Sequence, residues 1–152
     1  IDWLHFGDGS EMASIQRLAH EKLSKLSNIR YQFKGYTRKD DILNVYHNQP
    51  VDLFVNCSNV EGIPVSMMEA MAYGIPAIGR NVGGISELLD DSCGKLMDAS
   101  ITAEQLADAI TSILSLNEAD AKQMRRNAAT RVRARYSAID NYHGFFSTQM
   151  GL

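Results

Sequence analysis

The chain has few cysteines, few prolines and no long apolar run. Its 152 residues include only two cysteines and three prolines. Cys57 and Cys93 lie far apart and form no CxxC or Cys/His spacing, which argues against a disulfide framework and a zinc site and indicates reduced thiols of a cytoplasmic protein. No apolar stretch approaches the roughly 20 residues of a membrane-spanning helix.

Neither sign of charge dominates the composition. Charged residues make up 22% and the formal net charge is −3, so nucleic acid is not expected as a partner. Hydrophobic residues make up 45%, which argues against a disordered chain. The length is sufficient for one domain with a core, and we expect a single domain over residues 1–152.

Segments typical of strands alternate with segments typical of helices. The strands are expected at 1–6, 29–34, 51–55, 76–80 and 94–97. Four helices are expected at 10–27, 64–73, 85–89 and 118–136, the first with Ser10 as its N-cap, and a further helix is expected from about 138 to the end. Two more helices are expected, one after Asp40 as N-cap and one after a capping box of Thr102 and Gln105. This alternation predicts an α/β fold, a Rossmann-like parallel sheet with helices on both faces.

The stretch from residue 56 to 76 carries the strongest chemical signal. Pro64 suits the first turn of the expected helix, and Ile63 before it has no side chain that caps a helix. We therefore expect amides of the first turn, such as those of Val65 and Ser66, to lack an internal partner and to suit an anion.

Two acidic residues accompany this helix start. Glu61 precedes the helix and Glu69, eight positions later, lies inside it among small and apolar neighbours, so we expect Glu69 to be buried and to need donors. Two carboxylates beside an anion site suggest a ligand with both hydroxyls and phosphates, such as a sugar nucleotide. A solvated loop acid and a helix-surface acid are the alternative interpretation.

Several segments resemble those of the group 1 (family 4) retaining glycosyltransferases of GT-B fold. They keep the order and spacing of that family, including the Glu-x7-Glu pair, over nearly the whole chain. The segments are 33–36 (FKGY), 52–58 (DLFVNCS), 61–76 (EGIPVSMMEAMAYGIP), 82–87 (VGGISE) and 93–96 (CGKL).

The resemblance implies a function and a role for individual residues. The chain would be the C-terminal donor-binding domain of an enzyme that transfers a sugar, with retention, from a nucleotide-diphosphate-sugar to a saccharide or lipid-linked saccharide. Glu61 would be the catalytic residue that holds a hydroxyl of the donor sugar, and Glu69 would bind the ribose. The other implied donor-binding residues are Gly35, Tyr36 and Arg38 near the base, together with Ser58, Gly62, Ile63, Pro64 and Val65.

The resemblance also implies parts that the chain lacks. A strand whose loop carries the cations that clamp the diphosphate would precede Ile1, and so would the N-terminal domain that binds the acceptor. We therefore expect a piece of a longer protein that is inactive alone. The donor would be UDP- or GDP-linked, and no metal ion or other cofactor is expected.

Other features allow more than one interpretation. A sugar-nucleotide epimerase and a non-catalytic nucleotide- or carbohydrate-binding module are alternatives to the transferase. Gly83 and Gly84 are interpreted as a turn into the next helix, with Glu87 structural. The loop of Gly7 to Gly9 is either near the cleft or only a tight turn.

The last part of the chain is basic and aromatic. A run of cations on the expected helix at 118–136 is either a solvated face or a peripheral contact with the inner membrane surface. This run consists of Lys122, Arg125, Arg126, Arg131, Arg133 and Arg135. Four aromatic residues are interpreted as packing residues of the final helix, namely Tyr136, Tyr142, Phe145 and Phe146. The four histidines have no metal-ligand spacing and none is interpreted as catalytic.

Overall fold

Five strands and six helices alternate in the computed structural model, which describes residues 1–136. The strands are β1 (Asp2–His5), β2 (Arg30–Phe33), β3 (Phe54–Asn56), β4 (Ala77–Arg80) and β5 (Gly94–Met97). The helices are α1 (Met12–Leu23), α2 (Lys39–Asn48), α3 (Val65–Ala72), α4 (Ile85–Leu88), α5 (Ala103–Leu114) and α6 (Glu118–Tyr136). The α/β class is therefore confirmed. The helix expected from about residue 138, with Tyr142, Phe145 and Phe146, lies outside the described residues.

The strands form two sheets, and every pairing in both is parallel, which confirms the expected parallel arrangement. One sheet has the order β1-β2 and the other the order β3-β4-β5. The chain correspondingly divides into two compact units, Ile1–Asn48 and Gln49–Leu152. Alternation along the chain predicts strand direction, but it does not reveal which strands exchange hydrogen bonds.

The first unit has a small core. Ala19 is its one buried hydrophobic residue in the described chain, and Ile15 and Leu18 on α1 are 37% and 54% exposed. Aromatic rings of β1 and β2 contact one another, with the centroids of Trp3 and Phe33 separated by 5.3 Å. The first unit therefore buries much less of its apolar surface than the second.

Two helix caps expected in the first unit are wrong. The N-cap of α1 is Glu11 and not Ser10, since the carbonyl of Glu11 accepts the first helical bond, from the amide of Ile15, and Glu11 makes no side-chain capping bond. Asp40 lies inside the first turn of α2, since the carbonyl of Arg38 already accepts from the amides that follow.

The core of the second unit lies on both faces of its sheet. Successive residues of a strand point to opposite faces. Accordingly, Ala77 packs in a cluster with Met67 of α3 and Ala128 of α6, whereas Ile78 packs with Ala109 and Ile113 of α5. Helices cover both faces of this sheet, as expected.

Local chemistry sets the helix ends of the second unit. Gly74, with φ +73°, ends α3 in a Schellman arrangement, in which its amide bonds to Met71 O and that of Ile75 to Ala70 O. The capping box at Thr102 and Gln105 begins α5 as expected. Tyr136 packs against the cluster of α3 and α6, which confirms its expected packing role. Within residues 1–136, no helix combines the length and apolarity that crossing a membrane requires.

Candidate functional site

The N-terminus of α3 presents unpartnered amides. Pro64 is the N-cap, with φ −71° and ψ 111°, so it precedes the first helical residue instead of lying in the first turn. Its carbonyl accepts from the amides of Met67 and Met68, both at 3.1 Å, and no side chain caps the helix. In the described part of the chain the amides of Val65 and Ser66 have no acceptor, which confirms the expected uncapped helix start.

Glu61 is held by the end of the preceding strand. The side-chain amide of Asn56 donates to Glu61 Oε1 at 2.9 Å, and Asn56 Oδ1 accepts from the amide of Ser58 at 2.8 Å. Hydrogen bonds from the side chains of Asn56 and, secondarily, Ser58 lower the pKa of Glu61. Glu61 is therefore an oriented carboxylate. Asn56 was missed as a site residue. A polar side chain directly after an expected parallel strand does mark a candidate ligand-binding position, so the sequence could have indicated it.

The turn of Gly83 and Gly84 packs against the backbone around Glu61. Gly84 is the N-cap of α4, which confirms the expected turn into a helix. Its amide also donates to the carbonyl of Gly62 at 2.8 Å. A Cβ on Gly83, whose φ is +54°, would lie 1.8 Å from the carbonyl oxygen of Glu61. Both glycines are thus required for close contact with the loop that carries Glu61.

The segment between Glu61 and α3 is accessible to a ligand. A Cβ on Gly62 would meet nothing within 4 Å, and Ile63 and Val65 are 37% and 58% exposed. Pro64 is buried, which anchors the middle of the segment. There is therefore open space for a ligand beside the backbone of this segment.

Glu69 lies in the middle of α3 and is half-buried. The expectation that it is buried is wrong, because α3 buries Met67, Ala70 and Met71 on its other positions and leaves Glu69 partly exposed. A carboxylate in this position remains reachable from solvent.

Arg80 was missed by sequence reasoning, although it contacts both the loop after β3 and the loop after β5. It ends β4, and its guanidinium donates to Asn59 Oδ1 and to the carbonyl of Ala99, while Nη1 also lies 3.5 Å from the carbonyl of Cys57. Although the Cys57 residue is exposed, neighbouring atoms partly desolvate its thiol and thereby raise its pKa, and the charge of Arg80 partly opposes that effect. A lone arginine in a strand carries no sequence signal for these contacts.

The residues predicted near the nucleotide base belong to the first unit. Gly35 has φ +64°, and its carbonyl accepts from the amide of Gly7 at 2.9 Å, so the loops after β1 and β2 meet. Tyr36 is 81% exposed, and Arg38 pairs with Asp40 at 3.8 Å. The residues from Ser58 to Glu69 belong to the second unit.

Most of the basic run on α6 has partners. Lys122 pairs with Glu118, Arg125 with Asp52 and Val51 O, Arg131 with Asp90, and Arg135 donates to Glu87 O. This last contact involves the backbone of Glu87, so the structural role expected for its side chain stays a prediction. Four members of the run are exposed, namely Lys122, Arg126, Arg133 and Arg135. Of these, Arg126 and Arg133 line a shallow groove with Tyr73 and Ala129.

No three side chains of His, Cys, Asp or Glu form a metal-binding group among residues 1–136. Both cysteines are unpaired, with Cys57 exposed and Cys93 buried. The expectation of a donor site without a metal ion stays a prediction.

Comparison with known proteins gives matches over most of the chain. Over 62 residues it is 42% identical to the amylovoran biosynthesis glycosyltransferase AmsK of Erwinia amylovora, which covers 41% of this chain but only 15% of that protein. The structure resembles that of sucrose-phosphate synthase from Thermosynechococcus elongatus, with a TM-score of 0.75 and 27% identity over 97% of this chain and 38% of the other.

A second structure extends the fold comparison. Anabaena HepE, solved in complex with UDP and glucose, matches with a TM-score of 0.76 and 22% identity over 98% of this chain and 40% of HepE. The chain therefore spans well under half the length of these relatives. The family described as glycosyl transferases group 1 matches residues 5–131, and the chain belongs to that family.

Proposed function

We propose that the chain is the donor-binding domain of a retaining, family 4-like glycosyltransferase that uses a nucleotide-diphosphate-sugar. The observation that carries the proposal is the juxtaposition of Glu61, oriented by Asn56, with the uncapped start of α3. A carboxylate accepts hydrogen bonds from sugar hydroxyls, and unpartnered helix amides bind phosphate oxygens. This is the pair of chemistries that such a donor requires.

The roles divide along the segment from Glu61 to Glu69. Glu61 would accept from a hydroxyl of the sugar and orient it for transfer. The backbone of Gly62, Ile63, Pro64 and Val65 would contact the sugar and the diphosphate, and Glu69 would accept from the ribose hydroxyls. Ser58 would act through Glu61, whose pKa its side chain helps to lower.

Charge on the leaving diphosphate would be stabilised by hydrogen-bond donors. The amides of Val65 and Ser66 are unpartnered in the described chain and would supply part of this stabilisation. Cations from a segment that precedes this chain would supply the rest, with no metal ion. The loop of Gly35, Tyr36 and Arg38 would bind the base, and UDP is the first nucleotide to test because HepE was solved with it.

Thermal stability of the full-length protein tests the donor site. UDP, GDP or ADP should raise its Tm, and Glu69→Ala should remove most of the shift because the ribose loses its acceptor. Glu118→Ala is the matched control, since Glu118 is also a helical glutamate but lies at the start of α6, outside the proposed donor site. Absence of a shift with all three nucleotides in the wild-type protein would contradict the proposal.

Transfer is tested separately from binding. The full-length protein should release nucleoside diphosphate from a nucleotide sugar when a saccharide or lipid-linked saccharide acceptor is supplied, and the anomeric configuration should be retained. The function of AmsK in amylovoran biosynthesis makes polysaccharide precursors the first acceptors to test. Binding without transfer would favour the non-catalytic module, and interconversion of the free nucleotide sugar would favour the epimerase.

A peripheral contact with an anionic cytoplasmic membrane surface is part of the proposal. Its support is the exposed pair Arg126 and Arg133 on α6. The double variant Arg126→Glu/Arg133→Glu should reduce co-sedimentation of the full-length protein with phosphatidylglycerol vesicles. Arg17→Glu/Lys25→Glu carries the same charge change in the first unit and should not. Equal sedimentation of all three proteins would contradict the membrane contact.

A further inference from the structure

Arg80 connects three segments at one edge of the β3-β4-β5 sheet. It is the last residue of β4, the central strand. Nη1 donates to Asn59 Oδ1 and lies 3.5 Å from the carbonyl of Cys57, and Nη2 donates to the carbonyl of Ala99. One side chain therefore ties the loop after β3 to the loop after β5, across the end of the strand between them.

The loop after β3 carries Glu61 and is held from two sides. Arg80 binds its beginning, and the turn of Gly83 and Gly84 packs against its end, where Gly84 donates to the carbonyl of Gly62 at 2.8 Å. Both supports come from the end of β4 and the turn that follows it. They add to the bond of Asn56, which holds the Glu61 carboxylate from the end of β3.

The contacts of Arg80 do not stabilise the hydrophobic core. Cys57, Asn59 and Ala99 are all exposed, and none belongs to a core cluster of the second unit. The guanidinium instead holds the polar loop after β3 in position. A planar group with several fixed donors suits this task, since it binds acceptors in different directions at once.

We propose that Arg80 is a positioning residue for sugar transfer, which holds the loop after β3 so that Glu61 faces the donor sugar. Arg80 would act through this loop and would not touch the donor. The inference rests on the proposed function, in which Glu61 contacts the sugar.

Steady-state kinetics of the full-length enzyme test this role. Arg80→Ala should lower kcat by roughly 10- to 100-fold, because a displaced loop misorients the sugar. The Kd of the free nucleoside diphosphate should stay close to the wild-type value, since Glu69 lies on α3 and is not among the contacts of Arg80. Asn59→Ala removes one acceptor from an exposed position and should lower kcat less, with the protein still folded.

Arg131→Ala is the matched control. Arg131 is also half-buried, also bonds an acceptor side chain and a backbone carbonyl, those of Asp90 and Glu87, and shares with Arg80 a buried Nε that has no partner in the described chain. Its loss should lower the Tm and leave kcat unchanged. A kcat of Arg80→Ala and Asn59→Ala equal to that of the wild type would overturn the inference, and so would an equal loss of kcat in Arg131→Ala.

Hydrogen exchange separates this inference from the proposed function. Amides of residues 57–62 should exchange faster in Arg80→Ala than in the wild type, and those of α3 should not. Unchanged exchange at 57–62 would overturn the role of Arg80 even in a protein that transfers no sugar. A wild-type protein without transfer from any nucleotide sugar would instead refute the proposed function, whatever the exchange result.

Discussion

At the scale of single residues, Asn56 favours the ionised form of Glu61. Its side-chain amide donates to the Glu61 carboxylate and is the largest cause of the lowered pKa of Glu61. A lowered pKa means that the carboxylate persists to more acidic pH than usual. Whatever stability this interaction contributes is present above the unfolded pKa and is lost as the pH falls through the folded one.

Asn56→Ala should raise the pKa of Glu61. If Glu61 acts as a carboxylate, the acid limb of kcat/KM for the full-length enzyme should then move to higher pH, which a pH–rate profile measures. Asn117→Ala is the control, because Asn117 bonds Asp120 at the start of α6 and has no bond to Glu61. An acid limb at the same pH in wild type and Asn56→Ala would refute the assigned role of Asn56.

Gly83 and Gly62 offer the same substitution in opposite environments. Alanine at Gly83 combines φ +54° with a Cβ 1.8 Å from Glu61 O, so Gly83→Ala should cost about 2 kcal/mol or more in the free energy of unfolding. Gly62→Ala meets open space and should be nearly neutral for stability. Urea denaturation measures both values.

Gly62 should matter for donor binding and not for stability. Gly62→Ala should weaken binding of the complete nucleotide sugar, because its Cβ would occupy the space proposed for the sugar. Gly62→Ala with both wild-type stability and wild-type donor affinity would exclude a close approach of the donor at this residue.

At the scale of elements, local capping interactions set where helices of the second unit begin and end. Thr102→Ala removes the hydroxyl that accepts from the amide of Gln105, and should cost about 1 kcal/mol in the free energy of unfolding. Thr111→Ala in the same helix loses only a bond to the carbonyl of Ala107 within α5 and should be neutral or slightly stabilising. Chemical denaturation of both variants measures the difference, and equal costs would contradict a capping role for Thr102.

The elements also reveal what sequence can predict. The bounds of β5 and α6, the Gly74 stop and the capping box followed directly from local patterns, because each depends on residues within one or two turns. Ser10 and Asp40 have good capping chemistry but are not caps, since the carbonyls of Glu11 and Arg38 accept the first helical bonds of α1 and α2. Contacts such as those of Arg80 with Ala99, between residues 19 positions apart, have no local pattern to predict them.

At the scale of the whole molecule, burial is uneven between the two units. Ala19 is the buried hydrophobic residue of the first unit in the described chain, whereas the second contains both hydrophobic clusters. In the 152-residue chain, amides of β4 should therefore exchange slowest with solvent, and those of β1 and β2 much faster. Hydrogen exchange followed by mass spectrometry measures this, and equal protection of β1 and β4 would contradict it.

The fold class and family were predictable because they depend on order and spacing along the chain. The division into two sheets was not, since it depends on which strands pair. In the candidate site, the uncapped start of α3 was predictable because it depends on adjacent residues. The contacts that Arg80 makes with the loop after β3 were not predictable, because they join residues far apart in the chain.

The two-faced burial of β4 has a consequence for how this sequence can diverge. Ala77 and Ile78 contact helices on opposite faces, and Arg80 follows two residues after Ile78 on the same face. An insertion or deletion of one residue within β4 would exchange the two faces and turn Arg80 away from its acceptors. Natural variants of this domain should therefore change length in surface loops, such as that between α5 and α6, and keep the count of residues from Ala77 to Gly84 constant.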